Sequence, residues 1–367
     1  MIATFYDWSK AFDMQDQKLG IASFIECGVR SSLIPVLISY LQDRKMTVRY
    51  RREESSEKSL PGGGAQGTLL GPIEYWTQSN KNADAVSQDK RFKFVDDLTT
   101  IEVISLVTKV VSYNFRQHVA SDVGIHNQFI SREKTETQSV VDSVNNWTNN
   151  QKMKLNGSKT KYMIVNFTYN YQFNTRIFLD NEILDCIEQI RLLGVEFRED
   201  LSWKANTHSI TRKAFARMSL LRKLVCFGVP REDLVNIYIL FIRSLLEYCS
   251  EVWHSSITEE EVQDLERVQK CAVRIVMNND YEDYEKMLKE LNLEELKVRR
   301  EQICLDFAKK CVLNPKTSNW FPKNPPTDHS IRNPNEFLEM FASTERLRMS
   351  TIPYLQRLLN TEGAKQT

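Results

Sequence analysis

The chain has 367 residues, with 49 Lys and Arg against 48 Asp and Glu, 41% hydrophobic and 26% charged residues. This composition supports a substantial buried core in one or two domains and excludes wholesale disorder. A net charge of +1 leaves nucleic-acid binding to local charge patterning. No run reaches the ~18 uncharged apolar residues of a membrane span, so no membrane partner is expected. Met1–Asp7 is too short and too quickly polar for a signal peptide. Seven cysteines without C-x-x-C spacing argue against a zinc ribbon. They are expected to be reduced, mostly buried thiols of an intracellular chain, nuclear or cytoplasmic.

The first element is a β-prone run, Ile2–Tyr6, which delivers Asp7 at its C-terminal end. Apolar spacing predicts a helix over 13–29, closed near Gly28, and a second over 31–43 with Leu33, Val36, Leu37 and Tyr40 on one side. Met46–Arg51 alternates like an exposed strand, with the charged stretch 52–58 as its turn. A glycine-rich loop, 61–67, leads into a helix from Thr68. Arg91–Val95 reads as a short strand meeting Asp96 and Asp97. Residues 101–114 resemble a helix, and 116–136 is polar and irregular. A helix over 138–151 and strands at 162–167 and 176–179 follow, with Asp180–Asn181 as a turn.

Beyond 200–205 the spacing is helical. Leu234–Leu246 reads as a buried helix. Thr258 and Glu261 form a capping box for a helix whose buried face is Val262, Leu265, Val268, Ala272 and Ile275. Prolines from Pro315 to Pro334 break up the tail. The fold class expected is therefore α+β, an antiparallel sheet with packed helices followed by a mostly helical half. The expected divisions are 1–204, 205–311 and 312–367.

Adjacent acids such as Asp96–Asp97 repel each other and are usually solvated surface residues. A second strand ending in Asp7 changes that reading. Three carboxylates converging on one sheet edge are the hard-oxygen donors that divalent cations take, and a pair of such ions can activate a hydroxyl and stabilise a leaving phosphate. The loop Gly62–Gly67 matches G-x-G-x-x-G only literally. It follows a charged hairpin rather than an apolar strand, so it is not a dinucleotide site, and no Gly-Lys-Ser/Thr follows it. It is either a turn or a backbone that a nucleotide can approach closely, with Gln66 as a polar contact. Lys152, Lys154, Lys159 and Lys161, and then Arg212, Lys213, Arg217, Arg222 and Lys223, are basic clusters. Each is either a solvated face or a phosphate-tracking surface.

Tyr6–Asp13 (YDWSKAFD) resembles the first palm motif of non-LTR, LINE-type and jockey-like, retrotransposon reverse transcriptases. Gly64–Pro72 (GAQGTLLGP) resembles their second motif and Phe94–Asp97 (FVDD) the third. Trp147 with Leu155–Asn156 and Lys159–Thr160 is similar to the fourth. Leu192–Val195 with Leu201–Trp203 is similar to the segment entering the thumb. Leu246–Tyr248 with Val252–Trp253, Leu265–Gln269, and Ile352–Tyr354 with Leu358–Asn360 extend the likeness nearly to the end. Each motif is weak by itself; five in order are specific.

The resemblance implies a palm and a thumb, without counterparts of the family's fingers and endonuclease regions. It implies an RNA-directed DNA polymerase, or a truncated inactive copy, that takes an RNA template, a DNA primer and dNTPs. Asp7 and Asp96 would be the main ligands of two Mg²⁺ ions, replaceable by Mn²⁺, and Asp97 the accessory carboxylate. Phe12 would sit under the sugar and exclude a 2′-hydroxyl. Gln66 and Gly67 would meet the incoming dNTP, Lys159 the leaving pyrophosphate, and Gly194 the primer end. Arg212, Lys213 and Arg217 would follow the duplex backbone. Ala65 stands where the family usually has proline, and Val95 where alanine is more usual. The competing reading is a non-catalytic nucleic-acid-binding remnant of a retroelement. A palm-type nucleotidyl cyclase would share the carboxylates but not the later motifs.

Overall fold

The computed structural model describes residues 1–60, 62–65, 67–80, 84, 86–104, 135–167, 175–325 and 335–366. It divides into two compact units, Met1–Glu188 and Gln189–Thr367.

The first unit runs, in chain order, through β1 (Ile2–Tyr6), α1 (Gln17–Glu26), α2 (Ile34–Leu41), the short strands β2 (Lys45–Met46), β3 (Arg49–Tyr50), β4 (Glu53–Glu54) and β5 (Lys58–Ser59), then α3 (Leu70–Gln78). It continues with β6 (Arg91–Phe94), β7 (Asp97–Glu102), α4 (Glu136–Asn150), β8 (Lys161–Ile164), β9 (Phe178–Leu179), β10 (Glu182–Ile183) and β11 (Asp185–Cys186). Five strands form one sheet in the order β11-β8-β1-β7-β6. All pairs are antiparallel except β11 with β8. β1 lies at the centre because its β-branched and aromatic residues can be covered on both faces; Ile2, Ala3, Thr4 and Tyr6 are buried.

Helix α1 begins at Gln17 rather than Asp13, because the Asp16 carboxylate accepts from the Lys18 and Leu19 N–H groups and caps it there. Gly28, at φ +78°, closes it as expected. The apolar side Leu33, Val36 and Tyr40 of the second helical segment is exposed. The stretch 52–58 is not a turn. The chain reverses at Arg51–Arg52 and returns as β4 and β5, paired with β3 and β2. Cross-strand ion pairs Arg49–Glu54 at 3.0 Å and Lys45–Glu57 at 2.9 Å accompany this hairpin.

The helix expected over 101–114 is also corrected at its start. Ile101 and Glu102 belong to β7, paired with Ala3 and Ile2; residues 105–114 lie outside the described residues, as does most of the irregular stretch 116–136. The Glu102 carboxylate accepts from the Glu136 and Thr137 N–H groups at 3.0 and 2.9 Å, so β7 caps α4.

The second unit opens with the hairpin β12 (Gln189–Leu192) and β13 (Val195–Arg198). Helices α5 (Lys204–Cys226) and α6 (Arg231–Ile237) follow, then a π-helical turn, Tyr238–Arg243, and α7 (Ser244–Glu247) and α8 (Ser250–Trp253). α9 (Glu259–Met277), α10 (Tyr284–Glu290), α11 (Leu296–Leu313), α12 (Glu345–Arg348) and α13 (Thr351–Gln366) complete it. The capping box at Thr258 and Glu261 is present. Leu234, Tyr238, Ile242 and Leu246 are buried at four-residue spacing, so the apolar run is interior on one side only, and a π-turn interrupts it.

The units part at 188/189 and not at 204/205, because Val195 and Phe197 of the hairpin join the core built by α5, α6 and α9. A break at 311/312 would cut α11. Its Cys304, Leu305, Ala308 and Cys311 pack with Phe321, Phe337, Leu355 and Leu359. Only Cys304 and Cys311 are buried; Cys27, Cys186 and Cys226 are exposed. Cys27 follows the end of α1 and Cys226 is the last residue of α5, and helix ends face solvent more often than helix middles. Among the described residues no helix is long and apolar enough to cross a membrane.

Candidate active site

The register of the sheet brings the acids together. Tyr6 pairs with Leu98 on β7, so Asp7 continues β1 alongside Asp97. β6 and β7 are joined through Phe94↔Asp97, leaving Val95 and Asp96 as a two-residue loop. Val95 sits at φ +56°, where hairpins favour glycine and a β-branched residue is strained.

The three carboxylates sense one another. Burial raises the Asp7 carboxyl above the usual range; Lys159 pulls it down, Asp96 pushes it up and a hydrogen bond with Asn156 lowers it. Burial raises Asp97 too, with repulsion from Asp96 and then Asp7 added. Tyr75 is 1% exposed and its hydroxyl has no hydrogen-bond partner among the described residues. Burial raises its hydroxyl pKa, and Asp96, Asp7 and Asp97 raise it further. Among the described residues, no three His, Cys, Asp or Glu side chains are gathered closely enough to hold a metal ion as they stand. The coupling is therefore electrostatic: hard oxygen donors share one edge, and Lys159 offsets part of their repulsion at Asp7. That chemistry fits a divalent cation.

Lys159 is delivered by a turn built on β1. The Asn156 N–H donates to the Asp7 carbonyl at 2.8 Å, and the Ser9 N–H to the Lys154 carbonyl at 2.9 Å. The Asp7 N–H donates to Thr160 Oγ1 at 3.3 Å. Trp8 Nε1 donates to Thr148 Oγ1 at 3.1 Å, fixing α4 to the same stretch. Lys159 Nζ then lies 3.9 Å from Asp7 Oδ2. Two of its neighbours in the basic cluster are otherwise engaged: Lys152 pairs with Asp16 at 2.6 Å, and Lys161 pairs with Asp185.

Phe12 stands against Tyr75, ring centroids 4.8 Å apart and planes at 35°. The glycine loop is pinned to the same segment. The Gly64 N–H donates to the Phe12 carbonyl at 2.7 Å and the Gly63 N–H to the Gln15 carbonyl at 2.8 Å. Arg44 donates to the Gly62 carbonyl at 3.4 Å and to that of Gly63. A Cβ at Gly64 would meet the Gln15 side-chain oxygen Oε1 at 2.0 Å, so a larger residue there would have to displace the Gln15 amide. Beneath the loop Glu74 is fully buried. Desolvation raises its carboxyl pKa, and Arg44 offsets part of that rise. Gly67 has φ +77° with open space around it. Gln66 lies outside the described residues.

The remaining expected residues lie in the second unit. Gly194 follows Leu193 in the two-residue loop of the β12–β13 hairpin, with φ of +47° and +89°. On α5, Arg212 is exposed and Lys213 half-buried. The Arg217 guanidinium lies 4.3 Å over the Phe241 ring, and Nη1 donates to the Phe241 carbonyl. Lys213 and Arg217 are one turn apart, but Arg217 is already held by the π-turn. Sequence reasoning passed over Tyr75 and Arg44. Tyr75 is detectable only as the residue one helical turn beyond Gly71; nothing in the sequence marks Arg44.

No family model matches the chain. Among known proteins it is similar to a probable RNA-directed DNA polymerase from transposon BS of Drosophila melanogaster, at 24% identity over 226 residues. These are 61% of this chain and 23% of that protein, so the likeness spans about a quarter of the relative's length. A structure of telomerase from Candida albicans, in complex with a TWJ fragment of telomeric RNA, overlaps 87% of this chain and 48% of its own. The TM-score is 0.35 at 12% identity, an overlap too loose to define a shared fold. The sequence motifs and this relative support a retrotransposon reverse-transcriptase-like protein.

Proposed function

We propose that the chain carries out RNA-directed DNA synthesis, adding dNTPs to a DNA primer paired with an RNA template. The observation that carries this reading is the convergence of Asp7, Asp96 and Asp97 at one end of β1 and the β6–β7 loop, with Lys159 Nζ 3.9 Å from Asp7. Phosphoryl transfer asks for positioning and charge neutralisation rather than covalent chemistry from the protein. The primer 3′-oxygen forms the new bond to the α-phosphorus as the bond to pyrophosphate breaks.

Asp7, Asp96 and Asp97 would hold the Mg²⁺ ions, which neutralise charge on the attacking and leaving oxygens when bound. Lys159 holds a proton beside the acids, available to the departing pyrophosphate. Phe12, braced by Tyr75, limits room at the sugar. The glycine loop presents backbone at close range to the nucleotide, with Gln66 and Gly67 at its end. Arg212, Lys213 and the free part of the Arg217 fork meet duplex phosphates without reading sequence.

The test is primer extension on poly(rA)/oligo(dT) with Mg²⁺ or Mn²⁺, comparing the chain with Asp7→Asn and Asp96→Asn. Extension lost in both variants supports the reading; no extension above the variants sinks it. The competing reading is a non-catalytic nucleic-acid-binding remnant. Salt-dependent binding without extension would select it.

A further inference from the structure

We propose that the ribbon formed by β2 to β5 is an arm for single-stranded nucleic acid, its turn setting Arg51 and Arg52 on phosphates and Tyr50 against an unpaired base. Such binding needs no catalysis. Between Arg44 and Lys58 stand six Lys and Arg and three Glu, in a chain whose net charge is +1. Two of the acids are already neutralised. Glu57 pairs with Lys45 at 2.9 Å, and Glu54 pairs with Arg49 at 3.0 Å and accepts from Thr47 Oγ1 at 3.1 Å. Arg44 is spent on the Gly62 and Gly63 carbonyls. Among the described residues, no carboxylate pairs with Arg51, Arg52 or Lys58, and Glu53, opposite Tyr50, is the one acid of the ribbon without an ion pair.

The tip is shaped as well as charged. Arg51 opens the two-residue turn at φ +56°, where hairpins favour glycine or asparagine and another residue is strained. That strain serves no packing, since every residue from Lys45 to Ser59 is exposed. It lays the Arg51 guanidinium 5.4 Å from the centroid of the Tyr50 ring, within reach of a cation–π contact. Met46, Val48 and Tyr50 stand at alternate positions of the outgoing strand and are 48%, 58% and 68% exposed, so apolar surface increases toward the cations. A ring beside unpaired arginines suits a partner that offers flat bases and phosphates together, and unpaired bases stack on such rings with little sequence preference. A duplex keeps its base faces stacked inside. A protein surface would have to cover the apolar row while leaving Arg51 and Arg52 without counter-charge, which is costly once they are buried.

The experiment uses the full chain, Tyr50→Ala, Tyr50→Phe and Arg51→Ser combined with Arg52→Ser. Fluorescence anisotropy follows labelled oligo(dT), oligo(rU) and a blunt duplex of the same length across a salt series; the first two show whether the arm holds DNA, RNA or both. The expected result for Tyr50→Ala, which changes no charge, is single-strand binding weakened about ten-fold, the size of one lost stack, with duplex binding unchanged. Tyr50→Phe should bind like the parent. The double arginine variant should lower the single-strand salt slope by about 1.4, the share of two phosphates. All variants should melt with the parent, because the ribbon is solvated. If Tyr50→Ala and the double variant bind single strands with the parent's affinity and slope, the proposal is overturned. It is overturned too if Tyr50→Ala instead converts a parent dimer to monomer in sedimentation, which would make the apolar row a contact between copies. A parent chain that binds no single strand also overturns it, and extension above the Asp96→Asn control would then leave the polymerase reading standing. Single-strand binding that depends on Tyr50 without any extension would do the reverse.

Discussion

Lys159 Nζ and Asp7 Oδ2 face each other across 3.9 Å, and the Asn156 and Thr160 backbone and side-chain bonds to Asp7 hold the lysine's turn against the end of β1. The cation therefore has two roles open to it: tempering the repulsion among the acids and supplying a proton. Lys159→Ala should lower kcat about a hundred-fold, the usual size of a lost general acid, with little change in primer–template affinity. Single-turnover extension checks this; an unchanged rate would leave the lysine with an electrostatic role alone.

The acid cluster should weaken the fold at neutral pH. The folded-state pKa values of Asp7 and Asp97 lie above the usual carboxylate range, so the folded chain binds protons that the unfolded chain has already released. Their contribution is complete below the unfolded value and is lost as pH rises through the folded one. Asp97→Asn should therefore raise Tm at pH 7 by a modest ~1–3 °C, because both carboxyls are partly solvated. The gain should vanish in acid. Thermal melts of the two proteins from pH 3 to 8 test the sign. Mg²⁺ should also raise the Tm of the parent chain more than that of the variant.

Phe12→Ala should admit ribonucleotides. On the proposed reading the ring that Tyr75 braces at 4.8 Å would block by bulk alone, and discrimination built on bulk is about 10–100-fold. Competitive incorporation of rNTP against dNTP measures it. Tyr75→Phe, which keeps the ring, should leave that ratio unchanged, and Tyr75→Ala should erode it.

Val95→Gly should stabilise the chain by about 1 kcal/mol, since glycine accepts the positive φ that strains valine. The same freedom should loosen Asp96 and lower kcat. Denaturant melts and extension assays on the one variant would show stability and activity moving in opposite directions. A variant less stable than the parent would mean that the loop is not strained.

The acids were legible because a β-prone run ending in Asp and a second ending in Asp-Asp need only period-two patterning to be placed at strand ends. The second helix of the first unit was legible by its apolar spacing, although that face is exposed. Ile101–Glu102 misled because a short apolar run suits either a helix or a strand; pairing with Ile2–Ala3 decided it. β4 and β5 were missed because a fully solvated, charged hairpin carries no apolar alternation. Tyr75 packs against Phe12, a tertiary contact that no local pattern records. The hairpin's membership of the second unit rests likewise on where Val195 and Phe197 find partners.

β1 cannot be completed from its own neighbourhood. Tyr6 Oη bonds Thr100 across 94 residues and the Asp7 N–H bonds Thr160 across 153. During synthesis, then, Asp7 leaves the ribosome before the strands on either side of it have been translated. Non-local pairings of this kind form late and slowly, and a bare central strand invites pairing with other chains meanwhile. The same topology that gathers the acids thus ties their assembly to translation of the whole first unit, and a nascent chain halted before Thr160 carries Asp7 without the turn that supports it.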